Sequence, residues 1–126
     1  MSKPVFEDVF KLSGRRNRLS YFLFTLATTV LSLVAFGLIA VGAAADAGIL
    51  MVPAVVILVP TIVTGLLVGA QRCRDFGWTG WAILIALIPY IGWIFPFVML
   101  FVPGTVGANR YGPDPLQAAE ALPAAV

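Results

Sequence analysis

The side chains that could take part in chemistry in this 126-residue chain are concentrated in one short stretch, residues 71–81. Two arginines, a cysteine and an aspartate lie there side by side, from Arg72 to Asp75, with long apolar runs before and after. A charge at the centre of a transmembrane helix costs about 2.5–3.5 kcal/mol. The stretch is therefore predicted at a water boundary, where the flanking helices enter and leave lipid.

A catalytic site would need a constellation of groups that this sequence does not provide. The chain has no histidine, which removes the usual general base and a common metal ligand. Asp46 and Asp75 are the only acids between Asp8 and Asp114, and they are expected on opposite sides of a membrane. Cys73 lies between two arginines, which would make it nucleophilic if exposed, although a small interfacial filler is the commoner role. We predict no enzyme activity, no metal and no cofactor.

Asp75 is the residue most in need of a partner. It is expected at a helix C-terminus, where the helix dipole disfavours an acid. Arg72 lies within one turn of it, and Arg15 and Arg18 precede the neighbouring helix. The candidate cluster, predicted to be a structural clamp or an anion site, comprises Arg15, Arg18, Arg72, Arg74, Asp75 and Arg110. In the second interpretation, the arginines hold a lipid phosphate or a small anion.

The composition is that of a small integral membrane protein. Apolar residues make up 60% of the chain and charged residues 11%, against roughly 45–50% and 25% in soluble domains. Five of the eight Lys and Arg residues precede Leu19. This cluster of positive charge suits an anionic lipid surface and a cytoplasmic N-terminus. The basic residues are too few to indicate nucleic-acid binding. We predict one membrane domain, residues 1–116, and a disordered Ala/Pro-rich tail, residues 117–126.

Three apolar runs predict an all-α bundle. Residues 21–45 and 47–70 are each long enough to cross a hydrocarbon core of about 30 Å, and the short turn at Asp46 makes them antiparallel. The third run, residues 81–102, is broken between Pro89 and Gly92, which permits one kinked span or a re-entrant hairpin. Three helices can barely bury re-entrant backbone, so the single span is favoured, with the tail on the outer side.

Two further patterns concern packing. Residues 1–14 predict a short amphipathic helix on the membrane interface, with an unstructured N-terminus as the alternative. Gly65 and Gly69 form a Gly-x-x-x-Gly pattern, which lets another helix approach closely, either within the chain or from a second copy. The hydroxyls of Thr28 and Thr64 are expected at one level, where they would bond across the helix pair or floor a small cavity.

Four motifs, in order along the chain, resemble one family. They are Gly14-Arg15-x-x-Arg18-x-x-Tyr21, Arg72-x-Arg74-Asp75-x-Gly77-x-Thr79-Gly80-Trp81, Ile88-Pro89-x-Ile91-Gly92, and Pro103-Gly104-x-x-Gly107-x-Asn109-Arg110-Tyr111-Gly112-Pro113-Asp114-Pro115. Across residues 12–116 the chain resembles the YhaH/YhaI-like bacterial inner-membrane family, known as domain of unknown function 805. That family usually has a His where this chain has Arg74, and a second Trp where it has Ala82. The resemblance implies an inner-membrane location and supplies no activity.

These patterns favour a multi-pass protein of the bacterial inner membrane with a non-enzymatic structural or accessory role. The alternative is a binder of anionic lipid headgroups or small anionic solutes, accessory to transport, acting through arginines on the cytoplasmic face. The expected partners are membrane lipids, anionic ones included, and a second copy or another membrane protein.

Overall fold

The computed structural model describes residues 2–117. Its elements in chain order are α1 (Arg18–Ala44), a short 3-10 turn (Gly48–Leu50), α2 (Met51–Asp75), a 3-10 arm (Gly80–Leu87) and α3 (Ile91–Phe101). No β-strand occurs within residues 2–117, whose one β contact is an isolated bridge between Asn109 and Gly112. The predicted all-α class is confirmed for this part of the chain. The predicted tail lies outside it, apart from Gln117.

α1 and α2 form an antiparallel pair, and both are long and apolar enough to cross a membrane. They contain 27 and 25 residues, or about 40 Å and 37 Å at ~1.5 Å per residue. α1 ends because Asp46 adopts a φ of 51°, and the Ala47 N–H then donates to the Gly42 carbonyl at 2.8 Å. This closing bond is typical of a Schellman motif and turns the chain back at once.

The buried apolar core lies toward one end of this pair. Its members are Tyr21, Phe24, Val68, Ala70, Cys73, Ile83, Phe95 and Met99. They come from the first turns of α1, the last turns of α2 and the two elements that follow. We call this the polar end, because the charged residues from Arg15 to Arg18 and from Arg72 to Asp75 lie there as well.

The third apolar run is a hairpin whose two ends both lie at the polar end. The 3-10 arm begins at Gly80, directly against the Arg74 guanidinium. α3 ends beside α2, where Arg72 Nε donates to the Met99 carbonyl at 2.8 Å and Arg72 Nη2 donates to the Val102 carbonyl. In this structure the third run therefore follows the path of the hairpin alternative and not that of the favoured single span.

The chain can reverse direction in the hairpin because the turn is compact. It returns to its starting level because the two arms are equally long. The Gly92 N–H donates to the Ile88 carbonyl at 2.7 Å, and Tyr90 adopts a φ of 68°. A Cβ on Gly92 would overlap the Ala86 carbonyl, so only glycine fits at this contact. Eight residues at ~2.0 Å in the 3-10 arm and 11 at ~1.5 Å in α3 both rise about 16 Å, which returns the chain to its starting level.

The N-terminal segment forms turns, so the predicted amphipathic helix is wrong. Within residues 2–14, the bonds from Glu7 N–H to the Pro4 carbonyl and from Lys11 N–H to the Asp8 carbonyl close single turns. Asp8 has a φ of 55°, which breaks a right-handed helix. The carbonyls of Val5, Glu7, Asp8 and Lys11 accept side-chain hydrogen bonds from Arg16 and Gln71, which replace part of the ladder that a helix would have formed.

The threonine and glycine patterns of α1 and α2 make fewer contacts with other elements than the sequence suggests. Thr28 Oγ1 donates to the Phe24 carbonyl at 3.0 Å and Thr64 Oγ1 to the Pro60 carbonyl at 2.7 Å, so these hydroxyls bond their own helices. The expected bonds across the helix pair are absent from residues 2–117. A Cβ on Gly69 would overlap Ile83 of the 3-10 arm, whereas one on Gly65 would meet nothing within 4 Å.

Candidate functional site

Five charged side chains are buried at the polar end, and Asp114 is the least buried of them at 7% exposed. Arg15, Arg16, Arg72 and Asp75 are each at most 3% exposed. Charged residues are almost never buried this fully unless they are paired. Their partners therefore define what this region can do.

Asp75 accepts bonds from two arginines, one from each side. Arg15 Nε donates to Oδ1 at 3.1 Å, and Arg72 Nη1 donates to Oδ2 at 2.6 Å. Arg72 reaches it because the two residues are three apart on α2, so they share a face. Arg15 reaches it from the residues that precede α1, and thereby ties the two helices together. We call Arg15, Arg72 and Asp75 the clamp.

The remaining donors of the clamp hold the chain that follows the hairpin. Arg15 Nη2 donates to the Thr105 carbonyl at 2.5 Å, and Arg15 Nη1 donates to the Gly107 carbonyl at 2.7 Å. Five donors in a fixed fork allow one guanidinium to serve a carboxylate and several carbonyls at once. The clamp thus joins α1, α2, the end of α3 and the loop after it.

The loop after α3, residues 103–114, is bound to α2 through its own groups as well. The Thr105 N–H donates to the Asp75 carbonyl at 2.6 Å, and Asn109 Nδ2 donates to the Arg74 carbonyl at 2.9 Å. These bonds satisfy carbonyls that the C-terminus of α2 leaves free. Asp114 closes the loop by accepting from the Gly107 N–H at 2.9 Å.

Arg16 and Gln71 hold the N-terminal segment, and we call them the clasp. Arg16 Nε donates to Gln71 Oε1 at 3.1 Å, while its Nη atoms donate to the carbonyls of Val5, at 2.8 Å, and Glu7. Gln71 Nε2 donates to the Asp8 carbonyl at 2.7 Å. Burial lowers the pKa of the Arg16 guanidinium, and the attraction of Asp8 opposes this shift.

The N-terminal segment also carries a surface ion pair. Lys3 Nζ lies 3.2 Å from Asp8 Oδ2. The hydrogen bond from Lys3 lowers the pKa of Asp8, and the charges of Lys3 and Lys11 act in the same direction. This pair is accessible to water, so it contributes little to stability.

The structure divides the six predicted cluster residues. It brings together Arg15, Arg72 and Asp75, and leaves the other three arginines outside the clamp. Arg18 and Arg110 are exposed, and the Arg110 guanidinium lies 4.7 Å from the centre of the Tyr111 ring. Arg74 lies over Gly80, and its Nη1 is buried with no hydrogen-bond partner among the described residues.

Sequence reasoning passed over Arg16, Gln71 and Asp114. Arg16 stands in the same arginine run as Arg15 and Arg18, so the run itself was a usable signal. The sequence signal for Gln71 was weak, because a single amide before a charged stretch is common at a membrane boundary. Asp114 lies between two prolines in a turn-rich segment, where a side chain that caps backbone N–H groups is expected.

The polar groups of this region are used to hold segments of the chain together. Cys73 is fully buried, and its Sγ lies 3.5 Å from Met99 Sδ, so solvent does not reach the thiol. Residues 2–117 contain no group of three or more Cys, Asp and Glu side chains that could hold a metal ion. The buried donors face carbonyls and one carboxylate, which is an arrangement that joins segments of chain.

Comparisons with known proteins assign the chain to a family. A family described as "Protein of unknown function (DUF805)" matches residues 9–113. Inner membrane protein YhaI of Escherichia coli K12 is 30% identical over 112 residues, which cover 88% of this chain and 91% of the relative. Inner membrane protein YhaH of the same strain is 44% identical over 45 residues, 36% of this chain and 37% of the relative. No solved structure matches the chain. The chain therefore belongs to the DUF805 family, whose YhaI and YhaH members are inner membrane proteins.

Proposed function

We propose that this protein is a non-enzymatic structural or accessory component of the bacterial inner membrane. The observation that carries the proposal is the use of its buried charges. Arg15, Arg16 and Arg72 direct their donors at backbone carbonyls, Gln71 and Asp75, so these guanidinium groups are engaged within the chain. Groups that served catalysis or transport would instead keep donors or acceptors free for a substrate.

We further propose the orientation of the chain in the membrane. The N-terminus and the polar end are cytoplasmic, because the arginine runs on both helices lie there and positive charge is retained on that side. α1 and α2 span the bilayer, and the Asp46 turn is on the outer side. The hairpin enters from the cytoplasmic side and returns to it, so the loop at residues 103–114 is cytoplasmic too.

An accessory role requires a partner, and the exposed helix faces support one. Between them, α1 and α2 leave large apolar side chains such as Phe36, Val56 and Ile62 uncovered. Lipid covers some of this surface, and a second copy or another membrane protein covers the rest. Native mass spectrometry of protein extracted gently from its own membrane should retain a stoichiometric partner subunit.

Two variants extend this experiment, one that loosens the polar end while keeping the membrane helices and one that serves as its control. Asp75→Asn removes the carboxylate of the clamp, and it should reduce partner retention if the polar end organises the assembly. Arg110→Gln alters an exposed arginine outside the clamp and should leave retention unchanged. A purely monomeric wild-type protein under conditions that preserve known membrane complexes would contradict the accessory role.

The second candidate function is binding of anionic lipid headgroups or small anionic solutes. The clamp argues against assigning this role to Arg15 and Arg72, since Asp75 and carbonyls already occupy their donors. Arg18 remains available, and a groove beside it favours the lipid version of this candidate.

A further inference from the structure

An open groove lies at the polar end, between the first turns of α1 and the last turn of α3. Its volume is about 380 Å³, and its lining residues are Arg18, Leu19, Phe22, Leu100 and Phe101. Four of these five side chains are apolar. The groove therefore offers a hydrocarbon surface with a single cation at its edge.

Arg18 differs from the buried arginines in having no partner within residues 2–117. It makes no hydrogen bond and no ion pair there, and its side chain is exposed. It also lines a second, smaller cavity of about 180 Å³, together with Asn17, Asp75, Thr105 and Asp114. The guanidinium thus stands where an apolar groove meets a polar cavity.

The charges around this junction favour a single negative charge on the ligand. The clamp is net positive, because two arginines surround one aspartate. Among the residues that line the two cavities, Arg18 is the one cation, and it shares the smaller cavity with Asp75 and Asp114. The excess positive charge is supplied by Arg15 and Arg72, which lie behind Asp75. A zwitterionic ligand would leave that excess in place, whereas a singly charged anion neutralises it.

We propose that the groove binds one anionic phospholipid with a hydroxyl-bearing headgroup. The phosphate accepts hydrogen bonds from the Arg18 guanidinium, whose planar fork suits a phosphate. One acyl chain lies along Phe22 and Phe101. The headgroup extends into the polar cavity, where its hydroxyls donate to the remaining lone pairs of the Asp114 carboxylate, whose two oxygens each accept one backbone N–H.

The height of Arg18 in the membrane agrees with this pose. It is the first residue of α1, and the apolar part of the helix begins immediately after it. A basic residue at such a boundary lies at the level of lipid phosphates. The proposal makes the second candidate function specific, and the clamp contributes to it only through its nearby net charge and makes no contact with the lipid.

The test is a titration of the full chain in zwitterionic detergent micelles with phosphatidylglycerol or phosphatidylcholine, read by native mass spectrometry. We expect wild type to bind one phosphatidylglycerol in preference to phosphatidylcholine. Arg18→Gln should weaken phosphatidylglycerol binding roughly five- to tenfold and weaken phosphatidylcholine binding less, because the choline cation already offsets the phosphate charge of that lipid. The matched control is Arg110→Gln, another exposed arginine of the same end that lines neither cavity, and it should bind as wild type does.

A second variant tests the apolar part of the site without removing charge. Phe101 is 77% exposed, so Phe101→Ala should fold normally and weaken both lipids alike. Glycerol 3-phosphate, which has an anionic phosphate but no acyl chain, should not displace the bound lipid. The proposal is overturned by equal affinity of wild type for the two lipids, or by equal losses in the two arginine variants. Unchanged binding in Phe101→Ala, or displacement by glycerol 3-phosphate, would overturn it as well.

Discussion

At the scale of single residues, the clamp holds two guanidinium groups on one carboxylate inside a chain of 126 residues. Buried ion pairs are weak sources of net stability, because both charges lose their hydration. Their effect is on specificity, since removing one partner leaves the others buried and uncompensated. In this protein the effect is enlarged, because the same guanidinium groups also hold the carbonyls of the hairpin and the following loop.

Replacing Asp75 by Asn should therefore lower the free energy of unfolding by roughly 3–5 kcal/mol. Double-mutant cycles that combine it with Arg15→Gln or Arg72→Gln should give coupling energies above about 0.5 kcal/mol, the usual limit for independent sites. The measurement is chemical or thermal unfolding in detergent micelles.

The chain supplies a matched control for these cycles. Arg18 lies three residues from Arg15 but forms no ion pair with Asp75 within residues 2–117, so Asp75→Asn and Arg18→Gln should be additive within about 0.5 kcal/mol. If the Arg15 and Arg72 cycles were additive too, Asp75 would not be clamped and the proposed structural role would fail.

At the scale of elements, the hairpin is attached to α2 by a few close contacts. One of them is Gly69 against Ile83, where a Cβ would overlap the side chain of the 3-10 arm. Packing this close requires that the glycine remain without a side chain. The preceding glycine of the pattern, Gly65, has open space around it in this chain.

Gly69→Ala should destabilise the fold by roughly 1–3 kcal/mol, because an added carbon overpacks the contact. Gly65→Ala is the paired control and should be neutral or stabilising, since alanine has the higher helix propensity. Ile83→Val removes the atom nearest to the new methyl group, so it should restore part of the stability of Gly69→Ala. Equal effects of the two alanine variants on the unfolding temperature in detergent would show that Gly69 is not a packing contact.

The N-terminal segment is an element without its own hydrogen-bond ladder, so its order depends on the clasp. Arg16→Gln should leave the carbonyls of Val5 and Glu7 without their donors. Amide hydrogen exchange in residues 4–11 should then increase about tenfold, which corresponds to the loss of roughly 1.4 kcal/mol of local stability. Gln71→Leu should act in the same way, and Arg18→Gln should not. Unchanged exchange in both clasp variants would mean that another contact orders the segment.

At the scale of the whole molecule, the protein is asymmetric across the membrane. Two helices are long enough to cross it, while the hairpin rises about 16 Å, close to half of a ~30 Å hydrocarbon core. The charged segments therefore gather at the polar end, and the opposite end consists of the turn around Asp46 and bare helix ends.

Cysteine labelling in a Cys73→Ser background measures this arrangement. An impermeant thiol reagent should label Asp46→Cys in intact cells and label Ala108→Cys only after permeabilisation. Tyr90→Cys, at the hairpin tip, should resist the reagent in both conditions because lipid surrounds it. Labelling of Ala108→Cys from outside would contradict the re-entrant hairpin and revive the single span.

The sequence alone determined the features that depend on local chemistry. Apolar runs of 24 residues and more determine two membrane-crossing helices, and a charged stretch must lie where water begins. The short turn at Asp46 makes the helices antiparallel, so Arg15 and Arg18 arrive near Arg72 and Asp75. The position of Asp75 at the end of α2 predicted a cationic partner from the sequence alone, because a helix C-terminus disfavours an acid.

Only the tertiary structure decided which groups meet. Arg15 and Arg18 are three residues apart and equally charged, yet only Arg15 contacts Asp75, which is 60 positions away. The same holds for the hairpin, whose direction follows from Arg72 bonding to the end of α3. It holds too for the N-terminal turns, whose carbonyls bond Arg16 and Gln71. Such choices depend on where side chains point once helices are packed, and hydropathy and residue spacing do not contain that distance information.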